Sequence, residues 1–173
     1  ELGALKSRIS LLTEMEKDYE GYSKAVRLVM QESRRGILKN IRGTVGDLVK
    51  TDDKYAVAIE TALGGAMQNI IVDTEEDGKE AINYLKRRDG GRATFLPIST
   101  VRGGVLDERN LKNEQGYEGL AIDLVRFDGK HAGIYKSLLG RVAVADTLDS
   151  AIAIARRLAA EEGCADRCRY RQP

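Results

Sequence analysis

The chain of 173 residues is long enough for one ordinary domain or two small ones, at roughly 100–200 residues each, and can bury a core without staples. Its 28 lysines and arginines against 27 aspartates and glutamates leave a net charge of +1, which excludes a globally basic nucleic-acid binder and confines any such contact to a local patch. Glycine is the outlier, with 18 residues beside 2 prolines and no tryptophan, and this excess without low complexity points to turns and close backbone approaches.

Residues 1–20 carry Leu2, Leu5, Ile9 and Leu12 at steps of three, four and three, with charged residues between them. Those are a and d positions of a heptad, though spacing alone favours an ordinary amphipathic helix packed on its own domain. There is no signal-peptide core and no apolar run near the ~20 residues that span a bilayer, so a soluble, cytoplasmic chain is expected. Glu20-Gly21 interrupts the pattern before Tyr22, Val26, Val29 and Met30, a second helical stretch ended by Arg34-Arg35-Gly36. Ile37 to Ile41 and Gly46 to Val49 read as short strands around a Gly43 turn, and Asp52-Asp53 as a turn and helix cap. Lys54 to Leu63 reads as a helix stopped by Gly64-Gly65. Asn69 to Val72 has the β-branched content of a buried strand. Asp73 or Thr74 then caps a charged helix to about Arg88, with Glu75-Glu76-Asp77 at the end its dipole favours. Ala93 to Leu96 is a further strand ended by Pro97. A polar, glycine-punctuated stretch through Arg102-Gly103-Gly104 and Gly116 to Gly119 is longer than a simple connection needs.

The rest of the chain repeats this order. Asp47-Leu48-Val49-Lys50 recurs 76 residues on as Asp123-Leu124-Val125-Arg126, Lys54-Tyr55 matches Lys130-His131, and Leu63-Gly64 matches Leu139-Gly140. After a three-residue contraction Asp73-Thr74 matches Asp146-Thr147 and Leu85 matches Leu158. Two copies are too few for a solenoid, so the expected fold is a mixed α/β (α+β) pair of pseudo-symmetric subdomains from an internal duplication.

The motifs of several chemistries are missing from the sequence. It contains no Walker A motif, complete dinucleotide fingerprint or Gly-x-Ser-x-Gly, and a single histidine, His131, leaves little scope for a nucleophile–base couple. His131 stands where the first copy has Tyr55, which favours packing over catalysis. Cys164 and Cys168 lack further ligands at metal-site spacing. No catalytic residue, metal or cofactor is expected. Basic residues concentrate at Lys86, Arg87, Arg88 and Arg92, and at Arg156 and Arg157. As helix ends they would satisfy the dipole, and as counterparts in two copies they would present equivalent patches for weak, salt-sensitive phosphate contact.

Four motifs then carry a likeness: Gly43-Thr44-Val45-Gly46-Asp47-Leu48-Val49, the run from Lys54-Tyr55 through Leu63-Gly64-Gly65, Gln68-Asn69-Ile70-Ile71-Val72-Asp73-Thr74, and Gly91-Arg92-Ala93-Thr94-Phe95-Leu96-Pro97-Ile98. Together with the second copy they resemble the hinge domain of bacterial SMC (structural maintenance of chromosomes) proteins over about Gly36 to Leu158. The resemblance implies a coiled-coil arm stub at 1–20, hinge subdomains at 21–92 and 93–160, and a tail at 161–173 that departs from the family's strand and glycine-rich segment. It implies a homodimer joining two chains by edge-strand pairing, coiled-coil arms, ATPase heads elsewhere in the full-length protein, and a nucleoid-associated role in chromosome condensation and segregation. The interface expected on that basis comprises Gly64, Gly65, Asn69, Ile70, Ile71, Val72, Gly140, Arg141, Val142, Ala143 and Val144, with Asn69 to Val72 and Arg141 to Ala145 as edge strands. Weak, sequence-independent DNA contact falls to the six basic residues. The competing classes are a DNA-binding adaptor that does not dimerise and a small-molecule binder using the crevice between α/β units.

Overall fold

The computed structural model describes residues 21–162, in which the alternation of helices and strands follows the repeat closely. The stub expected at 1–20 and the tail, with Cys164 and Cys168, lie outside the described residues. In chain order the elements are α1 (Lys24–Arg34), β1 (Ile41–Thr44), β2 (Lys50–Thr51), α2 (Ala56–Leu63), β3 (Ile70–Val72), α3 (Glu75–Arg87), β4 (Phe95–Pro97), β5 (Tyr117–Leu120), β6 (Val125–Arg126), α4 (Ala132–Leu139), β7 (Ala143–Ala145) and α5 (Leu148–Glu162). Short 3-10 turns precede α2 and α4, and another, Gly64–Gln68, follows α2.

These elements divide into two compact units whose segments interleave. One takes residues up to Val45 and Gln68–Thr100, the other Gly46–Met67 and everything from Val101. The contiguous subdomains 21–92 and 93–160 therefore do not coincide with the compact units, because the first copy's helix α2 belongs with the second unit.

In the first unit the sheet order is β1-β3-β4, with β1 antiparallel and β4 parallel to the central β3. Ile70, Ile71 and Val72 are fully buried, which at about 1.5–3 kcal/mol per apolar side chain makes β3 the centre of this core. Val26, Val29 and Met30 of α1 and Ala81 and Leu85 of α3 close over it. Helix α1 starts at Ser23, whose Oγ accepts the Val26 N–H. At α3 a full capping box forms: the Asp77 N–H donates to Thr74 Oγ1 at 3.3 Å while the Thr74 N–H donates to Asp77 Oδ2 at 3.0 Å. Glu32, buried on α1, accepts the Tyr84 hydroxyl at 2.9 Å and the Arg35 guanidinium at 2.9 Å, so its charge is not stranded.

In the second unit β5 pairs antiparallel with β7, and β2 with β6. Lys50 lies opposite Arg126, its own counterpart in the repeat, as a local two-fold axis through this ribbon would place it. The equivalent helices α2 and α4 also pack together here. Tyr135 is fully buried and stacks on Phe127 with ring centroids 4.5 Å apart.

The duplication extends to the hydrogen-bond register. Ile41, Gly43 and Thr44 pair with Val72, Ile71 and Ile70, and Tyr117, Gly119 and Leu120 pair with Ala145, Val144 and Ala143, each with an irregularity at the same step. Gly43 (φ 145°) and Gly119 (φ 138°) occupy that step. The Val45 N–H donates to Asn69 O and the Asp73 N–H to Asn40 O; their counterparts run from Ala121 to Val142 O and from Asp146 to Gly116 O.

Three local expectations are corrected. The first strand begins at Ile41 rather than Ile37, because Gly36 (φ 76°) and Asn40 (φ 58°) turn the chain before it. Gly43 is a bulge inside that strand, and Gly46 to Val49 is turn, with pairing starting only at Lys50. Asp52 makes no side-chain cap; its carboxylate is held by Arg126 instead.

Candidate protein–protein interface

In the first unit both edges of β3 are occupied. Towards β4 the Ile70 N–H donates to Thr94 O at 2.9 Å, and Val72 O and Asp73 O accept the Ile98 and Ser99 N–H groups at 2.9 and 3.1 Å. The expectation of an edge strand at Asn69 to Val72 is thus not met. Nothing in a strand's own sequence tells whether its neighbours pair on one side or two.

The counterpart strand β7 is different. Its inner edge is taken by β5, but among the described residues no strand covers the other edge. The register carries the covered groups of β3 onto the Ala143 N–H and the carbonyls of Ala145 and Asp146. An unpaired strand edge is a template for another chain. Val144 is buried beneath the sheet, Val142 and Ala143 are half-buried, and Arg141 stands exposed at the strand's start. The outer strands β1 and β5 each carry the glycine bulge, which twists an edge away from regular pairing.

The expected glycines separate in role. Gly140, the C-cap of α4, is buried, and a Cβ there would meet Gly104 O at 2.3 Å and Lys136 O at 2.4 Å. Gly64 ends α2 at φ 49°, a conformation that favours glycine. Gly65 is exposed, and a Cβ there would have nothing within 4 Å.

A polar cluster in the second unit was not foreseen from sequence. Glu118 of β5 accepts Lys54 Nζ at 2.7 Å and the Tyr55 hydroxyl at 2.8 Å. Lys54 and then Tyr55 hold its carboxyl below the usual carboxylate range, against the opposing charge of Asp146. In the first copy the matching positions are Arg42 and Asp73, joined by a two-bond ion pair. With glutamate in place of that arginine, Asp146 at the end of β7 has no such guanidinium beside it. The partners of Glu118 lie 63 and 64 residues away, so only an oppositely charged residue at the counterpart position signals the exchange in sequence.

The six basic residues fall into two unlike sets. Lys86 and Arg87 close the last turn of α3, Arg88 caps it over the Tyr84 ring at 5.6 Å, and Arg92 is exposed. Arg156 and Arg157, however, are not the end of α5, which runs to Glu162 and has no basic residue in its last turn. Their counterparts in the first copy are Asn83 and Tyr84, and Arg157 is held by Glu114. The expectation of equivalent patches is therefore overturned. The described part of the first unit holds eleven lysines and arginines against seven aspartates and glutamates; the second holds eleven against fourteen.

Residues 38–155 match the family described as SMC proteins Flexible Hinge Domain. The chain is 41% identical over 152 residues to the chromosome partition protein Smc of Halothermothrix orenii, and 38% identical over 154 residues to that of Lactiplantibacillus plantarum. Each match covers 87% of this chain but 13% of the relative, so the chain spans about an eighth of the length of these relatives. Among solved structures it is similar to an asymmetric dimer of the Geobacillus stearothermophilus SMC hinge domain, with a TM-score of 0.82 and 39% identity, covering 88% of this chain and 63% of that one.

Proposed function

The chain belongs to the SMC hinge domain family, and on that premise we propose that it is the homodimerisation module of a chromosome-organising ATPase acting in condensation and segregation. The hinge itself carries no catalysis in this reading, and the ATPase heads, coiled-coil arms and nucleoid location belong to the full-length protein. The observation that carries it is the edge of β7 that no strand among the described residues covers, where its counterpart β3 has both edges filled. The solved Geobacillus stearothermophilus hinge, described as a dimer, supports the same reading. Arg141 to Ala145 is the contacting strand, and Gly64 and Gly65 are further interface positions in this reading. Asn69 to Val72, with both edges filled, is the centre of the first unit's own sheet and is not assigned a contacting edge.

Sedimentation tests this. Wild type is expected to run as a dimer at micromolar concentration. Ala143→Pro, which deletes the N–H on the open edge, and Gly65→Arg, which enters free space, are expected to run as folded monomers. A wild-type mass that stays monomeric up to hundreds of micromolar overturns the proposal.

Weak DNA contact is the second part of the proposal. It is assigned to Lys86, Arg87, Arg88 and Arg92, because the cationic excess lies in the first unit and these groups have no ion-pair partner among the described residues. A DNA-binding adaptor without dimerisation would keep that contact in a monomeric wild type.

A further inference from the structure

The helix-to-strand passage differs between the two copies in a way the duplication makes visible. From α2 to β3 six residues intervene, and five of them form the 3-10 turn Gly64–Gln68. From α4 to β7 only three intervene, Gly140, Arg141 and Val142. This is where the three-residue contraction of the repeat falls. The shortened passage is held from outside by an extended strap, Val101 to Leu106, that lies across α4.

The strap's fit depends on glycines. A Cβ at Gly103 would sit 2.0 Å from the Ser137 nitrogen, one at Gly133 would sit 2.4 Å from Val101 O, and one at Gly140 would sit 2.3 Å from Gly104 O. Those contacts are backbone, so none could yield by a side-chain rotation. Glycine is a poor helix former, yet Gly133 stands inside α4, and the carbonyl pressed against it explains why. The strap ends with the Leu106 N–H donating to Gly140 O at 2.8 Å. One turn earlier the Gly140 N–H donates to Lys136 O at 3.0 Å, so the residue just before the strand is fixed on both sides. Val142 is then tied to Leu139 O and to the Ala121 N–H. On α2 the counterpart of Gly133 is Val57, which is 56% exposed, so that helix bears no equivalent strap among the described residues.

We infer that the Val101–Leu106 strap is the positioning element of the dimerisation edge: by locking the α4–β7 junction at Gly140 it sets the height and register at which β7 presents the edge that no strand among the described residues covers. The inference rests on the dimerisation reading. It assigns Gly103, Gly133 and Gly140 to packing within one chain rather than to close approach between chains, and it gives the long glycine-punctuated connection a specific task.

The test compares wild type, Ala143→Pro and Gly133→Ala of the whole chain by sedimentation and amide hydrogen exchange. Gly133→Ala is expected to raise the dimer dissociation constant at least tenfold and to expose the Leu106 amide to exchange. It should leave the amides of α3 and β3 protected and the helical circular dichroism unchanged. A purely structural role would lower stability without moving the dissociation constant of the folded protein. Should Gly133→Ala fail to fold, Leu106→Pro, which removes the donor to Gly140 and leaves the glycine contacts, is judged by its dissociation constant, the deleted amide standing in for an exchanging one. A dimeric wild type with Ala143→Pro monomeric, but with the strap variant within twofold of wild type despite an exchanging Leu106 amide, overturns the strap's role alone. A monomeric wild type overturns the dimerisation reading and this inference together.

Discussion

Thr74 and Thr147 open corresponding helices, α3 and α5, yet they do unequal work. Thr74 takes part in a reciprocal box with Asp77, whose carboxylate also accepts Asn40 Nδ2 at 2.8 Å. Burial alone would raise the Asp77 pKa; the hydrogen bonds from Thr74 and Asn40, with the charge of Arg42, outweigh it and hold the group below the usual range. Thr147 accepts only the Ser150 N–H at 3.2 Å and shares a hydroxyl contact with Ser150. Thr74→Ala is therefore expected to cost about 1–2 kcal/mol and Thr147→Ala about half of that, read from urea unfolding at neutral pH. The cap at Thr74 was legible because both of its partners lie within one turn. Asp52 looks like a cap in local sequence, but its cationic partner, Arg126, stands 74 residues away, where no local pattern points.

At the scale of elements, the repeat gave the helices but neither every strand nor the strand edges. Helices announced themselves through apolar spacing, caps and glycine stops, whereas β5 lies inside the glycine-punctuated stretch that reads as a connection, although the 76-residue offset places it on β1 residue for residue. A bulge glycine such as Gly43 and a turn glycine look alike in sequence; pairing on both sides of Gly43 distinguishes the two. Since Gly43 and Gly119 adopt the same positive φ at the same step, alanine at either is expected to destabilise its own unit by about 1–3 kcal/mol. Unit-resolved hydrogen exchange reads this out: Gly43→Ala should loosen amides of β3, and Gly119→Ala those of β7, with little crossover. The central place of β3 and the free edge of β7 were not legible, because strand order comes from long-range pairing.

For the whole molecule, a net charge of +1 conceals a division in which the first unit is cationic and the second anionic. Duplex DNA titrated at two salt concentrations is expected to bind weakly, with Arg87→Ala and Arg88→Ala each lowering the salt slope by about one and weakening all sequences alike. Arg157→Ala should leave binding unchanged, since Glu114 already neutralises that guanidinium. The interleaving of the two units carries a consequence of another kind. The excursion Gly46–Met67 leaves and returns through neighbouring backbone, with the Gly46 N–H on Met67 O at 3.0 Å and the Val45 N–H on Asn69 O at 2.9 Å. Its two ends nearly touch, like those of a cassette spliced into a host gene. The first unit is thus a host that a short graft from Val45 to Gln68 would restore as an uninterrupted chain, whereas a cut at any single peptide bond would strand part of one unit on the other's fragment.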